Sequence, residues 1–362
     1  MPRAGWRGAA LVAFAVLAAC GEPANVERDA RGVIYGDDDR VELIDLPNPV
    51  VRRVGRFSVA ALVRSDRLEA GTLVGPSWGA VEALCPDVRF REQPVVAACT
   101  AVLLGADVVA TAAHCARLCA HSKIVFGAYF VDEDGVLAIS DGDVYACSDV
   151  VAELRTDEDV DVAWLRLDRP VEGALVPARA RSAPASRDES LTLLGFGGGL
   201  PMKAAPNGRV IDVGNEVLRT SHDAFAGGSG GPLVDAHGDV VAIFGGGAND
   251  FEYTPDGCRR PVVHADGGFE RATSIATAAS SLCRADACDP LCAQFGLQAL
   301  CANASGGCSA HPGARRGGLG WILGLGLLVC AARAAGEVRG PRAAAASSRR
   351  GPGTCRASRP TR

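Results

Sequence analysis

Between Val33 and Leu282 the apolar residues fall in short runs, not at helical spacing. Thr100–Leu104, Val108–Thr111, Lys123–Phe126, Val162–Leu167, Leu191–Leu194 and Val240–Phe244 are β-branched or Leu-rich, and Gly, Asp and Pro turns separate them. Each run predicts a strand. Glu270–Leu282 is the exception and predicts a terminal helix. Many short strands without alternating helices predict an all-β fold of antiparallel barrels or a sandwich.

Both ends of the chain have a different pattern. Arg3 and Arg7 precede an apolar run, Ala9–Ala19, that stops at Leu17-Ala18-Ala19-Cys20. A charged start, a short apolar stretch and a small-residue processing site predict an export signal over 1–19. The closing tetrapeptide resembles the lipobox of bacterial lipoproteins, which implies acylation of Cys20. Residues 20–32 then read as a linker or pro-segment, with a candidate cut near Arg31-Gly32-Val33. At the other end, Gly317–Ala332 is apolar and follows Arg315-Arg316; a run of arginines with the single acid Glu337 lies behind it. This order predicts an anchor over 313–362 with its basic end retained inside. With Gly307-Cys308-Ser309 ahead of it, the tail is similar to the C-terminal sorting tails of myxobacterial surface proteins. The expected location is therefore exported and membrane-tethered, at the cell surface or in the periplasm.

Composition narrows the classes. Hydrophobic residues make up 48% and charged residues 22%, enough for a packed core. A net charge of −5 gives no basic face for a nucleic acid. The 14 cysteines suit an oxidising compartment. Setting aside Cys20, Cys330, Cys355 and Cys308 leaves an even set for disulfides. Cys283, Cys288, Cys292, Cys301 and Cys308 are close-spaced and read as a small disulfide knot or Cys-rich stalk over 283–312. Cys288 and Cys292 have a zinc-like separation, but no paired His or second CxxC completes a site, and Asp132-Glu133-Asp134 lacks ordered calcium-ligand spacing. No metal and no organic cofactor are expected.

The chemistry concentrates in three places. From Cys99 the chain reads strand, turn, strand, then His114-Cys115, so that Cys99 and Cys115 would meet across the hairpin and pin the imidazole. Asp161 heads the alternating strand Asp161-Val-Ala-Trp-Leu-Arg-Leu; its rivals in the same acidic run are Asp157, Glu158 and Asp159. Gly227-Gly228-Ser229-Gly230-Gly231-Pro232 places a serine in a loop whose backbone N–H groups can face a substrate. A weak nucleophile, a base of near-neutral pKa and a carboxylate to orient it are the components of nucleophilic acyl transfer.

TAAHC, DVAWLRL and GGSGGP resemble the signatures of trypsin/chymotrypsin-like serine peptidases over Val33–Leu282. The resemblance implies two antiparallel six-stranded β-barrels with a short C-terminal helix and a cleft between them. It gives His114 the place of the general base, Asp161 the orienting acid and Ser229 the nucleophile. Gly227 and Ser229 take the oxyanion-hole places, and Asp223 and Gly245 the substrate-binding ones. Val33-Ile-Tyr-Gly-Asp-Asp-Asp-Arg40 looks like the opening of bacterial glutamyl-endopeptidase-like members.

Several positions depart from that pattern. Gly228 replaces the Asp that pairs with a newly cut N-terminus in trypsin-like zymogens, and Phe225 replaces a pocket-wall Cys. Ala224 and Ile243 stand where glutamate-specific relatives keep Thr and His. Asp223 stands where trypsins hold the acid for Arg or Lys; its plain reading is a loop Asp bonding its own backbone. His121, His222, His237, His264 and His311 read as surface or loop residues, and Gly195 with Gly197–Gly199 as a barrel turn. The expected function is an exported serine endopeptidase acting on proteins or peptides through an acyl-enzyme. Two alternatives stand beside it: a catalytically silent surface module on the same barrels, and an esterase built on Gly227-x-Ser229-x-Gly231. The second needs a strand-to-helix turn that Pro232 opposes.

Overall fold

Twelve strands close into two barrels in the computed structural model, which describes residues 34–297 apart from 130–138, 158, 248 and 265–267. The first barrel comprises β1 (Val59–Arg64), β2 (Cys99–Leu103), β3 (Val108–Thr111), β4 (Ser122–Phe126), β5 (Val144–Arg155) and β6 (Asp161–Leu167). The second comprises β7 (Ser190–Gly195), β8 (Lys203–Val213), β9 (Val217–Thr220), β10 (Pro232–Val234), β11 (Val240–Gly246) and β12 (Glu270–Ser274). Around the first barrel the order is β6-β3-β2-β1-β4-β5, and around the second it is β12-β9-β8-β7-β10-β11, closed in each case. The two orders are the same connectivity used twice. All twelve pairings are antiparallel, and this is a chymotrypsin-like fold.

Side chains alternate across each strand with a period of two. Ala60 and Leu62, Ala101 and Leu103, Ile124 and Phe126, and Ala163 and Leu165 fill the first barrel. Leu191, Leu193, Leu218, Leu233, Ala242 and Phe244 fill the second. The intervening residues Val59, Ala61, Val102, Trp164, Leu194 and Ile243 pack in a third cluster outside the barrels. Strands buried on both faces explain why the runs are continuously apolar and do not alternate.

The predicted terminal helix begins late. Glu270–Ser274 is strand β12, which closes the second barrel between β11 and β9. Only at Ser274, whose side chain accepts from Thr277 N–H, does the terminal helix (Ile275–Ala285) start. It crosses to the first barrel, where buried Trp164 donates its indole N–H to Ala278 O at 2.9 Å and Ser281 Oγ at 3.2 Å. This helix runs past Leu282, and the Cys283–Cys292 bridge folds the following residues back so that Leu291 joins the same core. An earlier helix, Pro49–Ser58, escapes the strand pattern; Asn48 caps it and Pro49 occupies its first turn.

The N-terminal segment belongs to the second barrel. Ile34–Tyr35 pairs in parallel with Val263–His264, and Val41–Glu42 adds a seventh strand to β8. Besides Cys283–Cys292, bridges join Cys85 to Cys258, Cys99 to Cys115 and Cys119 to Cys147, and Cys288 is also disulfide-bonded. Among the described residues no helix is long and apolar enough to cross a membrane. The signal, Cys20, the Val33 cut, the Asp132–Asp134 cluster, Cys301, Cys308, His311 and the 313–362 anchor all lie outside the described residues.

Candidate active site

Strand β3 ends at Thr111, and the chain turns into a short 3-10 helix that carries His114. The Cys99–Cys115 bridge fastens that turn to the start of β2. Asp161 opens β6, where its N–H donates to Thr273 Oγ1 of β12 at 2.9 Å. Its carboxylate then takes two bonds from one residue. Oδ1 accepts the His114 backbone N–H at 3.1 Å, and Oδ2 lies 2.7 Å from Nδ1 of the same residue. Burial pushes the Asp161 carboxyl up, but the hydrogen bonds and charge of His114 outweigh it and hold the group below its ordinary range. With Nδ1–H donated to Asp161, Nε2 keeps a free lone pair to take a proton.

Ser229 is reached through Gly245. The serine hydroxyl donates to Gly245 O at 3.3 Å, and a side chain on Gly245 would lie 3.3 Å from Asp161 Cβ. Ser229 O accepts from Thr100 N–H at 2.8 Å and lies 3.9 Å from Cys115 Sγ. The loop is thereby tied to the first barrel. Thr100 makes two more ties: its hydroxyl donates to Gly227 O at 2.9 Å and accepts from Phe196 N–H at 3.1 Å.

The peptide ahead of Gly227 has a fixed direction. Ala226 O accepts from Gly198 N–H at 2.7 Å, and a trans peptide carries its N–H on the side opposite its C=O. Gly227 N–H therefore points away from Gly198, and among the described residues neither it nor Ser229 N–H has a hydrogen-bond partner. Gly227 has φ 95°, and a side chain there would meet Phe196 O at 2.6 Å, so only glycine fits. Two free N–H groups, at the serine and two residues before it, can serve as a donor pair for a developing oxyanion.

Some sequence readings need correction. Asp223 does not bond its own backbone: Oδ1 accepts from Tyr35 N–H at 2.8 Å and Oδ2 from Asp39 N–H at 2.9 Å, which commits the carboxylate to the distant N-terminal segment. Burial raises its pKa, since the two N–H donors only partly replace water. Nearby, Tyr35 donates its hydroxyl to Glu270 at 3.2 Å, and the Glu270 carboxylate is buried against Gly247. His222 and His264 are not surface residues. His222 is fully buried with Nε2 on Leu191 O at 3.0 Å, and His264 stacks on Tyr35. Gly197–Gly199 is indeed a turn at the end of β7, but it also supplies the N–H that orients Ala226. Of the acidic run, Asp159 pairs with Arg271 at 2.6 Å, leaving Asp161 to meet His114. The sulfurs of Cys99 and Cys115, which cluster with His114, and that of Cys292 are all spent in bridges.

Three residues of this site gave no signal in the sequence. Thr100 looks like one more strand residue, Thr273 lies within the predicted helix, and Asp250, which accepts from Ala226 N–H at 2.8 Å, sits in no motif.

Residues 99–243 match the family model described as a trypsin-like peptidase domain. Among solved structures, a Glu endopeptidase is similar at 14% identity and TM-score 0.45, over 70% of this chain and 99% of that one. The active form of the Rv3671c protease from M. tuberculosis is 19% identical with TM-score 0.41, over 70% and 90% of the two chains. Neuropsin, a serine protease of mouse brain, is 14% identical with TM-score 0.41, over 62% and 91%. No curated protein matches the chain.

Proposed function

We propose that the protein is an exported serine endopeptidase that hydrolyses peptide bonds through an acyl-enzyme. The observation that carries this reading is the 2.7 Å contact of His114 Nδ1 with Asp161, set beside a serine whose loop presents two free N–H groups. Ser229 Oγ attacks the scissile carbonyl, His114 Nε2 takes its proton, and Asp161 steadies the imidazolium. The N–H groups of Gly227 and Ser229 receive the oxyanion, each worth about 10²–10³ in turnover. His114 returns the proton to the leaving amine, and water releases the acyl group from Ser229. These side chains and water complete the reaction.

The four bridges among described residues suit an oxidising compartment. On this reading Cys20 carries lipid and the 313–362 segment is an anchor, so Cys20→Ser combined with removal of 313–362 should move the protein from membrane to soluble fractions, while either change alone leaves one tether.

The test is labelling of the full-length protein, made in an oxidising host, with a fluorophosphonate probe and intact-mass detection. One adduct on wild type, absent in Ser229→Ala and slowed in His114→Ala, is the expected result. Folded, disulfide-complete protein that takes no adduct would refute the assignment.

A further inference from the structure

The loop that carries the nucleophile lacks the acid through which trypsin-like zymogens order it, because that position is Gly228. Something else must fix the Ala226–Gly227 peptide. Gly198 N–H holds its carbonyl, and one residue earlier the Ala226 N–H donates to Asp250 Oδ2 at 2.8 Å. Asp250 comes from outside the loop, on the connection that follows β11. The next residue, Phe251, reinforces the contact: its ring lies 5.6 Å from that of Phe225 and 5.8 Å from that of Trp78. Trp78 in turn sits under Gly198, where a side chain would meet the indole at 2.7 Å.

We infer that Asp250 is a positioning residue for the oxyanion hole, clamping Ala226 N–H so that Gly227 N–H stays turned toward the substrate. The inference rests on the reading of Ser229 as nucleophile. Asp250 touches neither substrate nor Ser229; it acts through the orientation of one peptide. A carboxylate accepts from an N–H more strongly than a neutral acyl oxygen does, so the clamp is tightest when Asp250 is ionised. Burial, with the nearby Glu82 carboxylate, pushes its pKa up to about 6 despite the Ala226 N–H bond and the Arg40 and Arg259 guanidiniums. Those groups face it from the end of helix Trp78–Glu82, from the N-terminal segment and from the strand Arg259–Pro261. The clamp therefore loosens as pH falls through about 6.

The experiment measures the second-order rate of fluorophosphonate labelling from pH 5 to 8 for full-length wild type, Asp250→Ala and Asp250→Asn, with thermal unfolding in parallel. Asp250→Ala should label at least about tenfold slower at pH 8, short of the roughly 10²–10³ that outright loss of an oxyanion donor costs, with an unchanged melting midpoint. Asn keeps one acceptor oxygen and no titration, so Asp250→Asn should label faster than Asp250→Ala at pH 8. Its rate relative to wild type should rise as pH falls through 6, because the His114 limb is common to both and cancels. An Asp250→Ala rate equal to wild type, or an Asn-to-wild-type ratio flat across the range, overturns the clamp. Absence of labelling in wild type itself would instead overturn the assignment of Ser229.

Discussion

Thr100→Val removes a hydroxyl and leaves the shape of the side chain nearly unchanged. Thr100 is wholly buried, and its Oγ1 serves two groups from the second barrel: it accepts Phe196 N–H and donates to Gly227 O. Valine strands both. A buried polar group left without its partner costs about 1–3 kcal/mol. The carbonyl can recover part of that through its second lone pair, so the pair together should cost about 2–4 kcal/mol. With a urea m-value of about 3 kcal/mol/M, the unfolding midpoint falls by about 1 M. The fluorescence of buried Trp78 and Trp164 reports it. Thr111→Val removes a single bond, from its hydroxyl to Thr100 O, and should cost about 1 kcal/mol. Thr100→Val should also slow Ser229 labelling, because Gly227 loses its tie to the first barrel. If it instead unfolds within about 0.5 kcal/mol of wild type, the scatter of ordinary surface changes, and labels at the wild-type rate, then Thr100 does not join the barrels at the active loop.

Other expectations follow from the same geometry. Asp161→Asn keeps the shape but favours the wrong imidazole tautomer, and turnover should fall about 10⁴-fold; a loss under tenfold would mean that His114 is oriented by something else. Trp164→Ala empties the contact between the terminal helix and the first barrel and should cost about 3–5 kcal/mol in urea unfolding. His222 has its pKa driven down to about 4 by burial, so the unfolded chain takes up the proton first. Its contribution to stability is full above about pH 6.5 and is lost as pH falls toward 4, at no more than about 1.4 kcal/mol per pH unit. His222→Gln should flatten that part of the stability profile; an unchanged slope would place the acid sensitivity in another group.

The two barrels were legible in the sequence because strand runs buried on both faces stay apolar from end to end, as Val108–Thr111 and Val240–Phe244 do. His114, Asp161 and Ser229 stood out because each is framed by local residues that do nothing else well: a bridged hairpin, a strand head, a glycine loop. The structure joins His114 to Asp161 and ties the Ser229 hydroxyl to Gly245, whose Cα faces Asp161. What stayed hidden depends on contacts remote in sequence. Glu270–Ser274 has a composition that suits a helix, and only pairing to β9 and β11 makes it a strand. Asp250 and Ala226 are joined by a loop packing that no spacing records. Asp223 carried a family position, yet the backbone that occupies it arrives from the opposite end of the chain. His222 has no apolar pattern around it to announce its burial; the glycine at 208 makes room for its ring.

The pairing of Ile34–Tyr35 with Val263–His264 also sets an order of events in time. The residues whose backbone covers Asp223 are made first and must wait for partners made more than two hundred positions later. At the usual pace of synthesis, about 5–20 residues per second, the delay is on the order of 10–50 s. Until then Asp223, Glu270 and the bed of Tyr35 have no cover. A nascent chain thus holds these buried acids bare, and the step that covers them draws on the oldest described residues of the domain.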